Sequence, residues 1–147
     1  MPRTWLAAVA TAAVLGCGDD DSGGGPSDLF PDVAGVYQVH GSFDGFTEAQ
    51  AVVNGSVTIE QESQEQSTLT GTATLAKTGT EGTLTLTNVE LQGASVTLSG
   101  IVSFTLGNTG GGVTWSFSGE RAGNVLEGQH TLTEGATTTG GDWTGER

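Results

Sequence analysis

Apolar and polar residues alternate with a period of two along most of the chain beyond residue 30. This alternation is typical of β-strands with one buried face, and the same region has no stretch with the 3.6-residue period of a helix. Turn-forming sequences rich in Gly, Asn and Thr separate the alternating runs, for example at 77–82, 107–112 and 122–124. The pattern therefore predicts an all-β domain.

The alternation predicts about eight strands. The first runs from about Val33 to Phe43, and in the fourth the phase slips near Asn88, which predicts a β-bulge. The fifth is expected to place the following residues on one face: Val96, Leu98, Gly100, Val102, Phe104 and Leu106. Because the connections between strands are short, neighbouring strands should pair as an antiparallel up-and-down meander.

Such a meander can close into a barrel or fold into a sandwich. Glycines lie within the predicted strands at Gly71, Gly100, Gly119 and Gly128. They favour a barrel, because tightly coiled strands need residues without a Cβ where the sheet bends most. The predicted fold class is all-β: a meander barrel of about eight antiparallel strands, preceded by a signal helix and a tether.

The first 16 residues have the three parts of a secretory signal peptide. Arg3 is the only charge before an apolar stretch at 5–15, which is too short to span a membrane, since a span needs about 20 residues. The stretch ends in Val14-Leu15-Gly16-Cys17, which resembles the lipobox of bacterial lipoproteins. The resemblance implies that 1–16 are removed and that Cys17 receives a diacylglyceryl group and an N-acyl chain such as palmitate.

The sequence divides into a signal peptide (1–16), a lipidated cysteine with an acidic tether (17–28) and a β-barrel domain (29–147). The tether has no aliphatic residue, so it is expected to be flexible and hydrated. The run Asp19-Asp20-Asp21 is interpreted as a solvated spacer, because it lacks the spaced oxygen ligands of a calcium loop. The expected location is the bacterial cell envelope, outside the cytoplasm, with the outer membrane favoured.

The charge of the chain limits the kinds of partner it can bind, and its cysteine content limits how the domain is stabilised. The chain has 17 acidic and 4 basic side chains, with a net charge of −13, which argues against nucleic acid as a partner. Cys17 is the only cysteine, so a packed core rather than a disulfide must hold the domain together. Because the negative charge also repels anionic lipid head groups, the expected contact with the membrane is the lipid anchor on Cys17.

The domain resembles a lipocalin-like (calycin) barrel. Lipocalins carry Gly-x-Trp on the first strand and an Arg near the last strand that packs across that Trp. Here Gly35-Val36-Tyr37 has Tyr in place of Trp, and Arg147 is available for the second position. The resemblance implies that Tyr37 and Arg147 form a barrel-closing pair, in which cation–π stacking would contribute roughly 0.5–2 kcal/mol.

Little in the sequence indicates catalysis. It has no Gly-x-Ser-x-Gly elbow, paired-cysteine motif or phosphate-binding loop, so no catalytic residue, metal site or cofactor is assigned, and the protein is not expected to be an enzyme. His40 is expected to face solvent. His130 shares a face with Leu126 and Leu132, so it is expected inside the barrel, at a cavity wall or hydrogen-bonded within the core.

Two functions remain open. In the first, the barrel binds a small hydrophobic or amphipathic ligand in a cavity lined by inward-facing residues: Tyr37, Phe104, Trp115, Phe117, His130 and Trp143. In the second, the interior is packed, and the domain is a structural or interaction lipoprotein that contacts another envelope protein through an exposed apolar patch.

Overall fold

The chain forms an all-β barrel of nine antiparallel strands. The computed structural model describes residues 29–108 and 112–147; the predicted signal helix, Cys17 and tether lie outside the described residues. The strands are β1 (Gly35–Ser42), β2 (Ala51–Glu60), β3 (Thr70–Gly79), β4 (Gly82–Glu90), β5 (Gln92–Val96), β6 (Ile101–Asn108), β7 (Val113–Ala122), β8 (Val125–Glu134) and β9 (Thr137–Glu146).

The strands follow one another around a single sheet in the order β4-β3-β2-β1-β9-β8-β7-β6-β5. Strands that are neighbours in sequence pair, except β4 and β5 at the two ends of this order. The ladder between β1 and β9, with Gly41 opposite Trp143, joins the first and last strands of the meander. This arrangement confirms the predicted up-and-down barrel.

The barrel is nearly closed, and β5 makes the final connection at one end. β5 pairs with β6 on one side. On the other side it meets the segment before β3, where Thr68 bridges Ser95 and the Leu69 amide donates to the Ala94 carbonyl at 2.9 Å. Within the described residues no ladder joins β4 to β6, so the seam stays open toward the opposite end.

The predicted bulge at Asn88 is confirmed. The register between β3 and β4 shifts between Ala73 and Leu75, so Thr74 faces two residues of β4, Thr87 and Asn88, where regular pairing would give one. Asn88 has a φ of 52°, in the left-handed region that Asn tolerates better than most residues. Its amide donates to Thr74 Oγ1 at 2.9 Å, which replaces the ladder bond lost at the bulge.

The predicted fifth strand is wrong in one respect: it is interrupted by a turn. The Gly100 amide donates to the Thr97 carbonyl at 2.9 Å, and Gly100 has a φ of 95°. Leu98 therefore lies in the turn and is 57% exposed rather than inward-facing. The interruption separates β5 from β6, which is why nine strands form instead of eight.

One end of the barrel, which we call the closed end, is covered by Leu29–Ala34. Val33 is fully buried, and its amide donates to Gln61 Oε1 at 3.0 Å. The Phe30 amide donates to the Gln64 carbonyl at 2.8 Å. These contacts hold the segment across the barrel before β1 begins. The opposite end, where β1 ends and β2 begins, we call the mouth.

Candidate functional site

A cleft of about 420 Å³ opens at the mouth, and we call it the mouth cleft. Its walls come from the loop between β1 and β2, the hairpin between β3 and β4, the end of β8 and the start of β9. It is lined by Phe43, Phe46, Gln50, Ala51, Lys77, Gly79, Glu81, Gly82, Glu134, Thr137 and Thr139.

Strand alternation places two of these side chains inside the barrel. Phe43 follows Tyr37, Val39 and Gly41 at alternate positions and is 2% exposed. Lys77 follows Ala73 and Leu75 in the same way, because β3 continues to Gly79 before the turn begins. An aromatic ring and an ammonium group therefore point into the same end of the barrel.

Lys77 forms an ion pair across the mouth. Its Nζ lies 3.0 Å from Glu134 Oε2, and the two side chains are 19% and 39% exposed. The same Nζ lies 5.4 Å from the centroid of the Phe43 ring, within cation–π range. The ammonium group is thus held between a carboxylate and an aromatic face.

The ion pair borders a second hollow on the β4 side. This hollow has a volume of about 280 Å³, and Lys77 and Glu134 line it together with Thr83 and Leu84. The mouth cleft and this hollow are neighbours, because they share four lining residues: Lys77, Glu81, Gly82 and Glu134.

His130 lies below Phe43 as a neutral core residue. The Trp115 indole N–H donates to His130 Nδ1 at 3.0 Å, and because that indole is only a donor, Nδ1 must be unprotonated. The proton is then on Nε2, which donates to the Ser42 carbonyl at 2.7 Å. Burial lowers the pKa of His130, although the hydrogen bond to Ser42 partly opposes the shift. Of the two predicted settings, the structure places His130 in the hydrogen-bonded core.

The six residues predicted to line a cavity all lie inside the barrel, where each is at most 2% exposed. Five of them form one aromatic cluster: the ring centroids of Phe117 lie 5.1 Å from Phe104, 5.2 Å from Trp143, 5.4 Å from Trp115 and 5.5 Å from His130. None of the six borders the mouth cleft as its described residues define it. A cavity-lining role for them stays a prediction.

Tyr37 and Arg147 meet at the closed end. The Tyr37 hydroxyl donates to the Val33 carbonyl at 2.9 Å, and Arg147 Nη1 donates to the Ala34 carbonyl at 2.6 Å. Burial raises the pKa of Tyr37, and the positive charge of Arg147 opposes this shift. Both side chains thus fix the covering segment to the barrel, while a role as a barrel-closing pair stays a prediction.

Lys77, Phe43 and Glu134 were not expected at a site. Lys77 belongs to the predicted turn at 77–82, because Lys-Thr-Gly-Thr-Glu-Gly has turn-forming composition. Continued alternation from Ala73 and Leu75 was the signal that could have placed it in the strand. Lys77 is also the only lysine in the chain. The pairing with Glu134 depends on barrel closure, which local patterns do not specify.

Comparison of the chain with protein families, curated proteins and solved structures returned no significant match. Within the described residues, no helix is long and apolar enough to cross a membrane. That part of the chain also holds no group of three or more His, Cys, Asp or Glu side chains that could bind a metal ion. The candidate site therefore stands on its own geometry.

Proposed function

We propose that this protein is a bacterial envelope lipoprotein, anchored through Cys17, whose barrel binds a small amphipathic ligand in the mouth cleft. The observation that carries the ligand-binding part is the cleft itself. Its volume of about 420 Å³ lies within the roughly 300–1,000 Å³ typical of small-molecule sites. Its lining combines aromatic surface with a few charged and polar groups, as such sites commonly do.

The position of the cleft limits how deep a ligand can go. Phe43 forms the floor, and its ring packs edge-on against His130 with centroids 4.8 Å apart. Below that level the aromatic cluster fills the barrel, so a deeper ligand would have to displace closely packed rings. The ligand therefore binds at the mouth, with its apolar part against Phe46, whose side chain is 45% exposed at the cleft.

Anchoring at Cys17 is compatible with a ligand site at the mouth of the barrel. The covering segment starts at Leu29 at the closed end, so a lipid on Cys17 would hold the closed end nearer the membrane. Fully extended, the residues between Cys17 and Leu29 reach about 40 Å. A tether of this length leaves the mouth free to face away from the membrane, toward soluble ligands.

A binding assay tests this proposal. The full chain carrying Cys17→Ser is titrated with the neutral fluorescent probe N-phenyl-1-naphthylamine, alone and with a second substitution. Thr137→Phe places a ring in the mouth cleft and should weaken binding at least tenfold. Thr114→Phe, on the exposed face of β7, is the matched control and should leave binding unchanged. Absence of probe binding, or equal affinity in both variants, would contradict the proposal.

An interaction role is the second candidate, and exposed apolar side chains favour it. Leu29, Leu98 and Ile101 are 43%, 57% and 38% exposed. Leu98 and Ile101 flank the turn at Gly100, and Pro31 of the covering segment comes close to that turn, with its Cγ 3.9 Å from the position of a Cβ on Gly100. A photo-cross-linking residue in place of Leu98 should capture one discrete envelope protein in cells. The same residue in place of Thr114 is the control, and absence of the adduct there would confirm that the partner binds at Leu98. Absence of any adduct from position 98 would exclude this role for the patch.

A further inference from the structure

The mouth cleft already holds an organic ammonium group, that of Lys77. Its Nζ lies 3.0 Å from Glu134 Oε2 and 5.4 Å from the centroid of the Phe43 ring. A carboxylate and an aromatic face are the two groups that bind organic cations in proteins. We propose that the mouth cleft selects a cationic amphiphile, an alkylammonium compound whose head group binds beside or in place of the Lys77 ammonium. This inference rests on the proposed ligand-binding function.

The charges of the cleft disfavour an anionic ligand. The ionisable groups that line it are Lys77, Glu81 and Glu134, so the lining is net negative. The chain as a whole carries a net charge of −13, which repels an approaching anion and attracts a cation. An anionic head group would also have to separate Lys77 from Glu134 before it could pair with the ammonium.

The rim of the cleft offers a cation further contacts. The Phe46 ring is 45% exposed at the edge of the cleft, and the carboxylate of Glu81 lies on the neighbouring hairpin turn. The alkyl chain of the ligand can then pack along Phe46, because the other apolar lining residues, Phe43 and Ala51, are only 2% and 5% exposed. Lys77 acts as a built-in competitor, since its ammonium occupies the position that binds a cation best.

Three probes with alkyl chains of nearly the same length test the charge selection. The full chain carrying Cys17→Ser is titrated by calorimetry with octyltrimethylammonium, octanoate and octyl glucoside, each below its micelle concentration. We expect octyltrimethylammonium to bind at least tenfold more tightly than octanoate, with octyl glucoside between them. Tightest binding of octanoate, or equal binding of all three, would overturn the charge selection and leave ligand binding intact. Binding of none would overturn the proposed function itself.

Two substitutions give opposite expectations for cationic and anionic ligands. Lys77→Met removes the built-in ammonium, so the affinity for octyltrimethylammonium should rise about tenfold. Glu134→Gln removes the carboxylate, so the same affinity should fall about tenfold. Glu127→Gln, on the exposed face of the same strand, is the matched control and should change nothing. Weaker binding of the cation by Lys77→Met would overturn the inference, and circular dichroism confirms that each variant is folded.

Discussion

Lys77 Nζ lies 3.0 Å from Glu134 Oε2, although β3 and β8 are on opposite sides of the barrel. Going from β3 to β8 through the sheet passes β2, β1 and β9, so these strands exchange no backbone hydrogen bonds. The side chains therefore form a link across the mouth that the sheet itself does not provide. The aromatic cluster fills the barrel below this link, and the mouth cleft opens beside it.

This ion pair should stabilise the fold modestly. Both side chains are partly exposed, and pairs of this kind contribute about 0.2–1 kcal/mol. A double-mutant cycle with Lys77→Met and Glu134→Gln, measured by urea unfolding, should give a coupling energy of about 0.2–1 kcal/mol. Additive effects of the two substitutions would show that the link contributes nothing to stability.

Because His130 is neutral in the folded protein, lowering the pH should reduce the stability of the fold. Burial lowers the pKa of His130 in the folded chain, so just below pH 6.5 the unfolded chain binds more protons. The free energy of unfolding therefore falls as the pH drops from about 6.5 toward the folded-state pKa. Protonation of Nδ1 would also place two N–H donors of His130 and Trp115 against each other.

Urea unfolding at pH 5 and pH 7.5 measures this effect. His130→Gln should lose less stability on acidification than the parent chain. His40→Gln is the control with the opposite sign: hydrogen bonds to Asn54 and Glu48 raise the pKa of His40, so its contribution is present below pH 6.5 and lost as the pH rises. The same acid response in His130→Gln as in the parent would contradict the neutral assignment.

The sequence predicts more of the fold than of the candidate site. Alternation predicted the strands, and the phase slip predicted the bulge at Asn88, because both depend on which residues face inward. The turn that separates β5 from β6 was missed, since Leu98 continues the apolar alternation across it. The ion pair between Lys77 and Glu134 was also missed, because sequence spacing does not show which strands lie opposite in a closed barrel.

Gly119 should be required for the stability of the fold, because the Trp143 indole packs directly against it. A Cβ at Gly119 would lie 2.8 Å from Trp143 Cζ2, and the indole is held by a 3.1 Å hydrogen bond to the Ser118 carbonyl. Gly119→Ala should therefore destabilise the fold by about 1–3 kcal/mol through overpacking. Thr114→Ala, on the exposed face of the same strand, should cost clearly less in the same denaturation experiment. Equal costs would show that the indole can move aside.

The proposed lipid anchor on Cys17 predicts a defined N-terminus in the mature protein. Mass spectrometry of protein from bacterial membranes should find a chain that begins at Cys17 and carries diacylglyceryl and N-acyl groups. With Cys17→Ser, the protein should lose this modification and no longer fractionate with membranes. An unmodified Cys17 in the exported parent chain would contradict the lipoprotein assignment.

Nuclear magnetic resonance tests most directly whether a ligand binds in the mouth cleft, because it shows which residues the ligand contacts. The full chain carrying Cys17→Ser, labelled with ¹⁵N and ¹³C, is titrated with octyltrimethylammonium. We expect the largest chemical-shift changes at Phe43, Lys77 and Glu134 around the mouth cleft. Largest changes at Phe104 and Trp143, deep in the aromatic cluster, would contradict binding in the mouth cleft.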